Sequence, residues 1–411
     1  MKDFPWFKHY PESVPKEVDC EAYSSVAELF EESVKKYGDA VAYECMGKTM
    51  SFNKLNKLSE DFACYLTQVL RLKKGTRIAI QMPNTLQYPV AMFGAIRAGM
   101  IVVNTNPLYT PSEMKHQFKD SGAEVIVIVA NFAGNLEKIL TEIPAKYIIV
   151  TELGDLLGGL KGTIVNLVVK HIKKMVPAFS IPKAVTFKSA LSQGANHNFK
   201  PVELSLEDTA FLQYTGGTTG VSKGAELTHK NIVANMQQIS AWMKPKLREN
   251  EEIVVTALPL YHIFALTVNC LAMLKIGAHN LLITNPRDMS AFCKDLSKYK
   301  FSVFTGVNTL FNGLLNQEAF KKLDFSGLKI AVGGGMAVQK ATAEKWMAVT
   351  GTPLAEGYGL TETSPVASCN PIDGTERNGT IGLPLPNTEF MVIDDEGNIL
   401  QAGERGEICI K

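Results

Sequence analysis

The 411-residue sequence contains no C-x-x-C pair, and its seven cysteines, from Cys20 to Cys409, are scattered and odd in number. That usage offers neither a disulfide framework nor a zinc-finger spacing, so a reducing, cytoplasmic setting is expected. An excess of charge of either sign is also lacking, since 42 Lys+Arg stand against 41 Asp+Glu. A dedicated nucleic-acid binder needs a basic surplus for its phosphate contacts, and no nucleic-acid partner is expected here. The first residues are charged and broken by Pro5, without the apolar stretch of a signal peptide. Internal repeats at solenoid periods and low-complexity tracts are missing too. At about 150 residues per domain, the length predicts two or three domains.

Long uncharged runs are scarce. Ile253–Leu274 spans 22 residues without a formal charge, enough to cross a bilayer. Pro259, Tyr261 and His262 interrupt it, and its β-branched start favours a buried strand, a turn and then a buried helix. A second stretch, Leu160–Val176, mixes Ile164, Leu167, Ile172 and Met175 with Lys161, Lys170, Lys173 and Lys174. Such a basic amphipathic helix either packs on its domain with the lysines solvated or lies on an anionic membrane surface.

Short apolar runs alternate with amphipathic stretches over most of the chain. Arg77–Gln81, Val125–Ala130, Tyr147–Val150, Ile253–Leu258, Leu281–Thr284, Val303–Gly306 and Lys329–Val332 read as buried strands. Ser25–Tyr37, Tyr88–Ala98, Pro111–Ser121, Asn231–Met243 and Val338–Thr350 read as helices. The alternation predicts an α/β fold of mostly parallel sheet covered by helices, with ligands at the carboxyl ends of the strands. We divide it into two α/β subdomains, residues 1–205 and 206–365. After Pro365, glycine and proline become frequent, and residues 366–411 read as the start of a small β-barrel-like module with strands Phe390–Asp394 and Gly406–Lys411.

The chemistry concentrates in Tyr214-Thr-Gly-Gly-Thr-Thr-Gly-Val-Ser-Lys-Gly224. Its glycines free the backbone to turn its N–H groups onto an anion, while the hydroxyls of Thr215, Thr218, Thr219 and Ser222 and the charge of Lys223 suit a polyphosphate. The P-loop spacing is absent, because Lys223 sits between Ser222 and Gly224. Downstream follow Leu258-Pro-Leu-Tyr-His-Ile-Phe264, Gly333-Gly-Gly-Met336, Glu356-Gly-Tyr-Gly-Leu-Thr-Glu362 and Ile381-Gly-Leu-Pro384.

Taken in this order, the motifs resemble the adenylate-forming superfamily of acyl-CoA synthetases, luciferases and peptide-synthetase adenylation domains. Within it, the chain is most similar to the bacterial long-chain fatty acid–CoA ligases, as Gly99-Met-Ile-Val-Val-Asn104, Thr284-Asn-Pro-Arg287 and Gly306-Val-Asn-Thr-Leu-Phe311 also suggest. The resemblance implies an acid–thiol ligase that joins a long-chain fatty acid to ATP, releases pyrophosphate and transfers the acyl group to coenzyme A. It further implies that Thr215, Gly216, Gly217, Thr218, Thr219, Gly220 and Lys223 wrap the phosphates, and that Thr215 and Glu362 hold Mg²⁺. Thr361 would bond the α-phosphate. Gly334, Gly335, Gly357, Tyr358 and Gly359 would border the adenine, with Glu356 accepting from its amino group. His262 would stand beside the α-phosphate and the acyl carboxylate. For the acyl tunnel we single out Val307, Leu310, Phe311, Leu266 and Met336, with Leu266 where some relatives carry an aromatic gate.

Family members continue into a Thr-Gly-Asp, a hinge and a small lid domain with a catalytic lysine. No Thr-Gly-Asp follows Pro365 here and Lys411 is the last residue, so the expectation is the large domain alone, binding ATP but turning over poorly. Peripheral contact with the inner membrane surface and a homodimer complete the expected partners. Two alternatives are a fatty acyl-AMP ligase serving a carrier protein and a non-catalytic fatty acid or nucleotide binding module.

Overall fold

The alternating strands and helices form two large sheets in the computed structural model, which describes residues 4–216 and 220–411. Among the described residues, one sheet has seven strands in the order Val185–Thr186, Tyr147–Thr151, Val125–Val129, Arg77–Gln81, Ile101–Asn104, Thr209–Thr215 and Lys223–Thr228. Its pairs are parallel except the last, where Thr215 lies opposite Lys223 in an antiparallel ladder. The other sheet has nine strands, in the order Leu383–Pro384, Val366–Cys369, Leu354–Gly359, Ile330–Gly333, Val303–Gly306, Ile253–Thr256, His279–Leu282, Val41–Cys45 and Lys48–Ser51. Its centre is parallel, and both margins are antiparallel.

Sheet membership does not follow the division at residue 205. Val41–Ser51 crosses into the nine-stranded sheet, and Thr209–Thr228 completes the seven-stranded one. The pleat then distributes the side chains between cores. Ile78, Ile80, Val125, Val127, Val254 and Val303 enter one core shared by the two sheets. Their neighbours Ala79, Ile126 and Ile128 face a second core, and Val255 and Phe304 a third. Strands buried on both faces explain the continuous apolar runs in the sequence.

Helix limits follow local chemistry. The Ser25 side chain accepts from the Glu28 amide at the head of Val26–Tyr37. Thr110 and Glu113 form a reciprocal capping box for Pro111–Ser121, which ends at Gly122 in the left-handed region (φ 64°). The uncharged stretch divides as its composition predicts, into the strand Ile253–Thr256, a turn, and a helix whose Ala265–Ala272 section is entirely buried. Among the described residues, no helix is long and apolar enough to cross a membrane.

The expected barrel-like module is corrected. Among the described residues, Phe390–Ile393 and Glu407–Ile410 form a two-stranded antiparallel ribbon, joined only by an isolated bridge from Ile399 to Ile393. Closing a barrel needs more strands than these two supply.

His229, the first residue of helix His229–Met243, is buried, and its Nδ1 accepts the Val26 amide at 3.1 Å. Burial, assisted by Lys74 and opposed by Asp208, pushes its pKa down from 6.5 to about 4. The unfolded chain therefore binds the extra proton first, and stability is lost as pH falls from 6.5 towards 4. We expect urea titrations to show a loss of about 3 kcal/mol over that window from this residue. His229→Asn, which keeps an acceptor but does not titrate, should lose correspondingly less.

Candidate active site

A cavity of about 680 Å³ opens at the carboxyl ends of strands from both sheets. The seven-stranded sheet contributes Asn104, Gln213, Tyr214 and Thr215, and the nine-stranded sheet contributes Val332 and Gly357–Gly359. Of the residues singled out in the sequence, Thr215, Gly216, His262, Gly334 and Gly335 line the cavity. So do Gly357, Tyr358, Gly359, Thr361 and Glu362. Gly220 and Lys223 do not line it, and Gly217, Thr218 and Thr219 lie outside the described residues.

The Gly/Thr loop joins two antiparallel strands, so it is a hairpin connection and not the head of a helix. Lys223 stands at its base, exposed, directly opposite Thr215. The His116 ring bonds the Ser222 carbonyl at 2.8 Å and anchors the returning limb. The strand Lys223–Thr228 packs against the turn Thr361–Thr363, and Thr215 and Glu362 line the same cavity.

The opposite wall is bare backbone. A Cβ on Gly334 would lie 3.0 Å from the Phe264 ring and 3.4 Å from the Gly357 carbonyl. One on Gly359 would lie 1.9 Å from the Pro365 carbonyl, so no side chain fits there. Glycine at these positions leaves a flat strip beside Tyr358 against which a planar ring can lie.

Glu356 stands apart from the lining residues. It is buried and absent from the cavity lining, and its Oε1 accepts the Val338 amide at 3.3 Å. Burial raises its carboxyl pKa, against the lowering effect of that bond. One oxygen of the carboxylate is thus turned towards the segment before helix Lys340–Thr350.

His262 is exposed to the cavity, yet the protein packed around the rest of its ring pulls its pKa below the ordinary value. Its Nδ1 accepts the Phe264 amide at 3.3 Å. A neutral ring held in this way carries its proton on Nε2 and can donate it to an oxygen.

A polar clasp places this histidine. Asn84 Nδ2 donates to the carbonyls of Thr256 and Leu258, both at 2.9 Å, and its Oδ1 accepts the Leu260 amide at 2.8 Å. The single proton of the Tyr88 hydroxyl is shared between the Leu260 carbonyl at 2.9 Å and Asn104 Oδ1 at 2.7 Å. Asn104 Nδ2 donates to Gln213 Oε1 at 3.1 Å, and Gln213 Nε2 donates to the Tyr261 carbonyl at 2.6 Å. Side chains of the seven-stranded sheet and its helix thereby satisfy the main chain of Leu258–Tyr261, which belongs to the other half.

One arm of the cavity is apolar, with Ile239, Trp242 and Met243 from helix His229–Met243 facing Val268, Ile372 and Leu385. None of the five residues expected for the acyl tunnel lines it. Leu266 belongs to the shared core, and Leu310 and Phe311 pack in the third core, where Phe311 meets Trp346 at 4.8 Å between ring centroids. Val307 is partly buried against these cores, and Met336 is exposed. Packing partners already cover Leu266, Leu310 and Phe311.

The sequence profile of AMP-binding enzymes matches residues 30–411. The chain belongs to the AMP-binding enzyme family. It is 54% identical over 406 residues to a long-chain-fatty-acid–CoA ligase of Escherichia coli O6:H1, covering 99% of this chain and 72% of that protein. In fold it is similar to a long-chain-fatty-acid–CoA ligase from Archaeoglobus fulgidus (TM-score 0.82, 23% identity, 98% of this chain and 77% of that one). It is also similar to an anthranilate CoA ligase in complex with anthranoyl-AMP (TM-score 0.82, 20% identity, 96% of this chain and 71% of that one).

In this AMP-binding enzyme the donor set suits a nucleotide with a hard cation. Thr215 and Glu362 offer one hydroxyl and one carboxylate to the same cavity. Among the described residues, no group of three His, Cys, Asp or Glu is placed to hold a metal alone. Oxygen ligands supplemented by phosphate oxygens are what Mg²⁺ prefers. Sequence reasoning missed Asn84, Tyr88, Asn104 and Gln213, and also Trp242. The available signal was polar residues embedded in apolar runs, such as Asn104 after Ile101-Val-Val and Gln213 after Ala210-Phe-Leu.

Asn84→Ala would strand two carbonyls and one amide in a buried setting. We expect it to lower the unfolding free energy by about 3 kcal/mol, measured by urea denaturation.

Proposed function

We propose that this chain activates a long-chain fatty acid with ATP to an acyl-adenylate and then passes the acyl group to coenzyme A. The observation that carries this reading is a single cavity joining a hydroxyl- and glycine-lined polar end to an apolar arm. The polar end suits a nucleotide and the arm suits an alkyl chain. The identity with the Escherichia coli ligase supports the same substrates.

In this reaction the fatty carboxylate oxygen bonds to the α-phosphorus while the bond to the bridging oxygen breaks and pyrophosphate leaves. Negative charge gathers on the α-phosphoryl oxygens, so positioning and charge stabilisation dominate. Neutral His262 donates from Nε2 to that charge, and the Thr361 hydroxyl adds a second donor. The hairpin after Thr215 gathers the β- and γ-phosphates. Thr215 and Glu362 would hold Mg²⁺, which neutralises phosphate oxygens when bound. In the second step the coenzyme A sulfur bonds to the acyl carbon and AMP departs.

Incubation with Mg-ATP and palmitate, with and without coenzyme A, tests the reading. Pyrophosphate and palmitoyl-CoA are expected. Adenylate without thioester would favour delivery to a carrier protein, and binding without either product would favour a non-catalytic module. His262→Ala should slow palmitate-dependent pyrophosphate release roughly 10²-fold, by loss of one charge-stabilising donor. Its melting temperature should stay unchanged, because the ring faces the cavity.

Trp242 is a buried wall of the apolar arm, its Nε1–H bonded to the Asn370 carbonyl at 3.1 Å and its ring met edge-on by Tyr10 at 5.3 Å. Trp242→Ala should raise kcat/KM for stearate relative to palmitate about tenfold, the value of two further buried methylenes.

A further inference from the structure

Helix Gly159–Leu167 continues through a wider turn, Val168–Ile172, and is seated on the protein the wrong way round for a surface helix. Its inner side combines Gly162 and Asn166 with Val165, which is partly buried against the shared core. Gly162 is its one buried residue, and a Cβ there would lie 2.3 Å from the Gly154 carbonyl. Asn166 Oδ1 accepts the Gly154 amide at 2.7 Å, and its Nδ2 donates to Glu152 Oε2 at 3.0 Å. The outer side carries the large apolar residues. Leu160, Ile164 and Leu167, spaced to share one face, are exposed together with Ile172 and Met175, each by 50% to 77%. An apolar face turned to solvent and rimmed by polar groups marks an interaction surface.

Charge identifies what that surface meets. From Leu156 to Val202 the chain has no Asp or Glu and seven lysines, Lys161, Lys170, Lys173, Lys174, Lys183, Lys188 and Lys200, within a protein of net charge +1. Lys188 is paired with Asp155 at 3.0 Å, whereas Lys170, Lys173 and Lys174 are exposed around the apolar stripe. In a two-fold dimer through this face, those lysines would confront their own copies, which opposes a second copy as the occupant. Apolar side chains flanked by lysines instead match the boundary between acyl chains and anionic headgroups.

We propose that helix Gly159–Ile172 docks the protein on an anionic lipid bilayer, with Leu160, Ile164, Leu167 and Ile172 entering the headgroup boundary and Lys170, Lys173 and Lys174 meeting lipid phosphates. The docking is a property of this surface and does not depend on the reaction in the cavity.

Co-sedimentation of the full chain with vesicles tests the proposal. Binding is expected to vesicles of phosphatidylglycerol mixed with phosphatidylcholine, and far less to phosphatidylcholine alone. The triple variant Lys170→Gln, Lys173→Gln, Lys174→Gln should weaken binding roughly a hundredfold. The double variant Ile164→Asp, Leu167→Asp should abolish it. All five side chains point outward, so unchanged melting curves and ATP affinity are expected to show that both variants remain folded. Equal sedimentation of wild type and variants, or no preference for the anionic vesicles, would overturn the proposal. So would a wild-type dimer that these substitutions dissociate without any effect on vesicle binding.

Discussion

The structure depends on how the main chain of Leu258–Tyr261 is satisfied. This segment leaves a buried strand and cannot continue its ladder, so its amides and carbonyls need other partners. Asn84, Tyr88 and Gln213 provide them from the seven-stranded half. One buried asparagine is bonded three times, which is costly to leave incomplete and so admits a single arrangement. The relative placement of the two sheets and the position of His262 are therefore set by the same hydrogen bonds. A cavity between two sheets would otherwise be only as well defined as their apolar packing.

The strand Lys223–Thr228, and not a helix, follows the Gly/Thr stretch. The strands on either side of it are antiparallel, and Thr361 and Glu362 line the same cavity as Thr215 and Gly216. Under the proposed function, hydroxyls, backbone amides and one lysine at the base would take the place of the helix macrodipole of the P-loop. The glycine wall has a complementary task. It removes side chains where a flat ring must approach, and at Gly359 the neighbouring Pro365 carbonyl leaves no room for one.

Apolar side chains are gathered twice in the same molecule, once inside and once outside. Inside, Trp242, Met243 and Val268 make an apolar arm that excludes water. Outside, the helix from Gly159 holds its polar Asn166 against the protein and turns leucine and isoleucine to solvent. Both features reverse what a sequence pattern alone suggests. Amphipathic periodicity marks two faces without saying which is inward, because that depends on the surface beneath the helix.

Local chemistry made much of the fold legible. Arg77–Gln81, Val303–Gly306 and Pro111–Ser121 have the limits read from the sequence, because apolar runs, caps and prolines act over a few residues. The ordered Gly-rich motifs marked Thr215, Gly216, Gly334, Gly335 and Gly357–Gly359 of the cavity, since glycine at a close approach has few substitutes. Other features were decided only by tertiary structure. The exchange of Val41–Ser51 and Thr209–Thr228 between sheets is a long-range pairing that no local pattern records. The burial of Glu356 against Val338 depends on a neighbouring segment, and the choice of Trp242 over Phe311 as a cavity wall depends on which residues other packing had already covered. The sequence by itself determined the elements and the chemical groups, whose preferences are short-ranged. Tertiary structure decided which faces are buried and which groups meet, because those are properties of contacts between residues far apart in the chain.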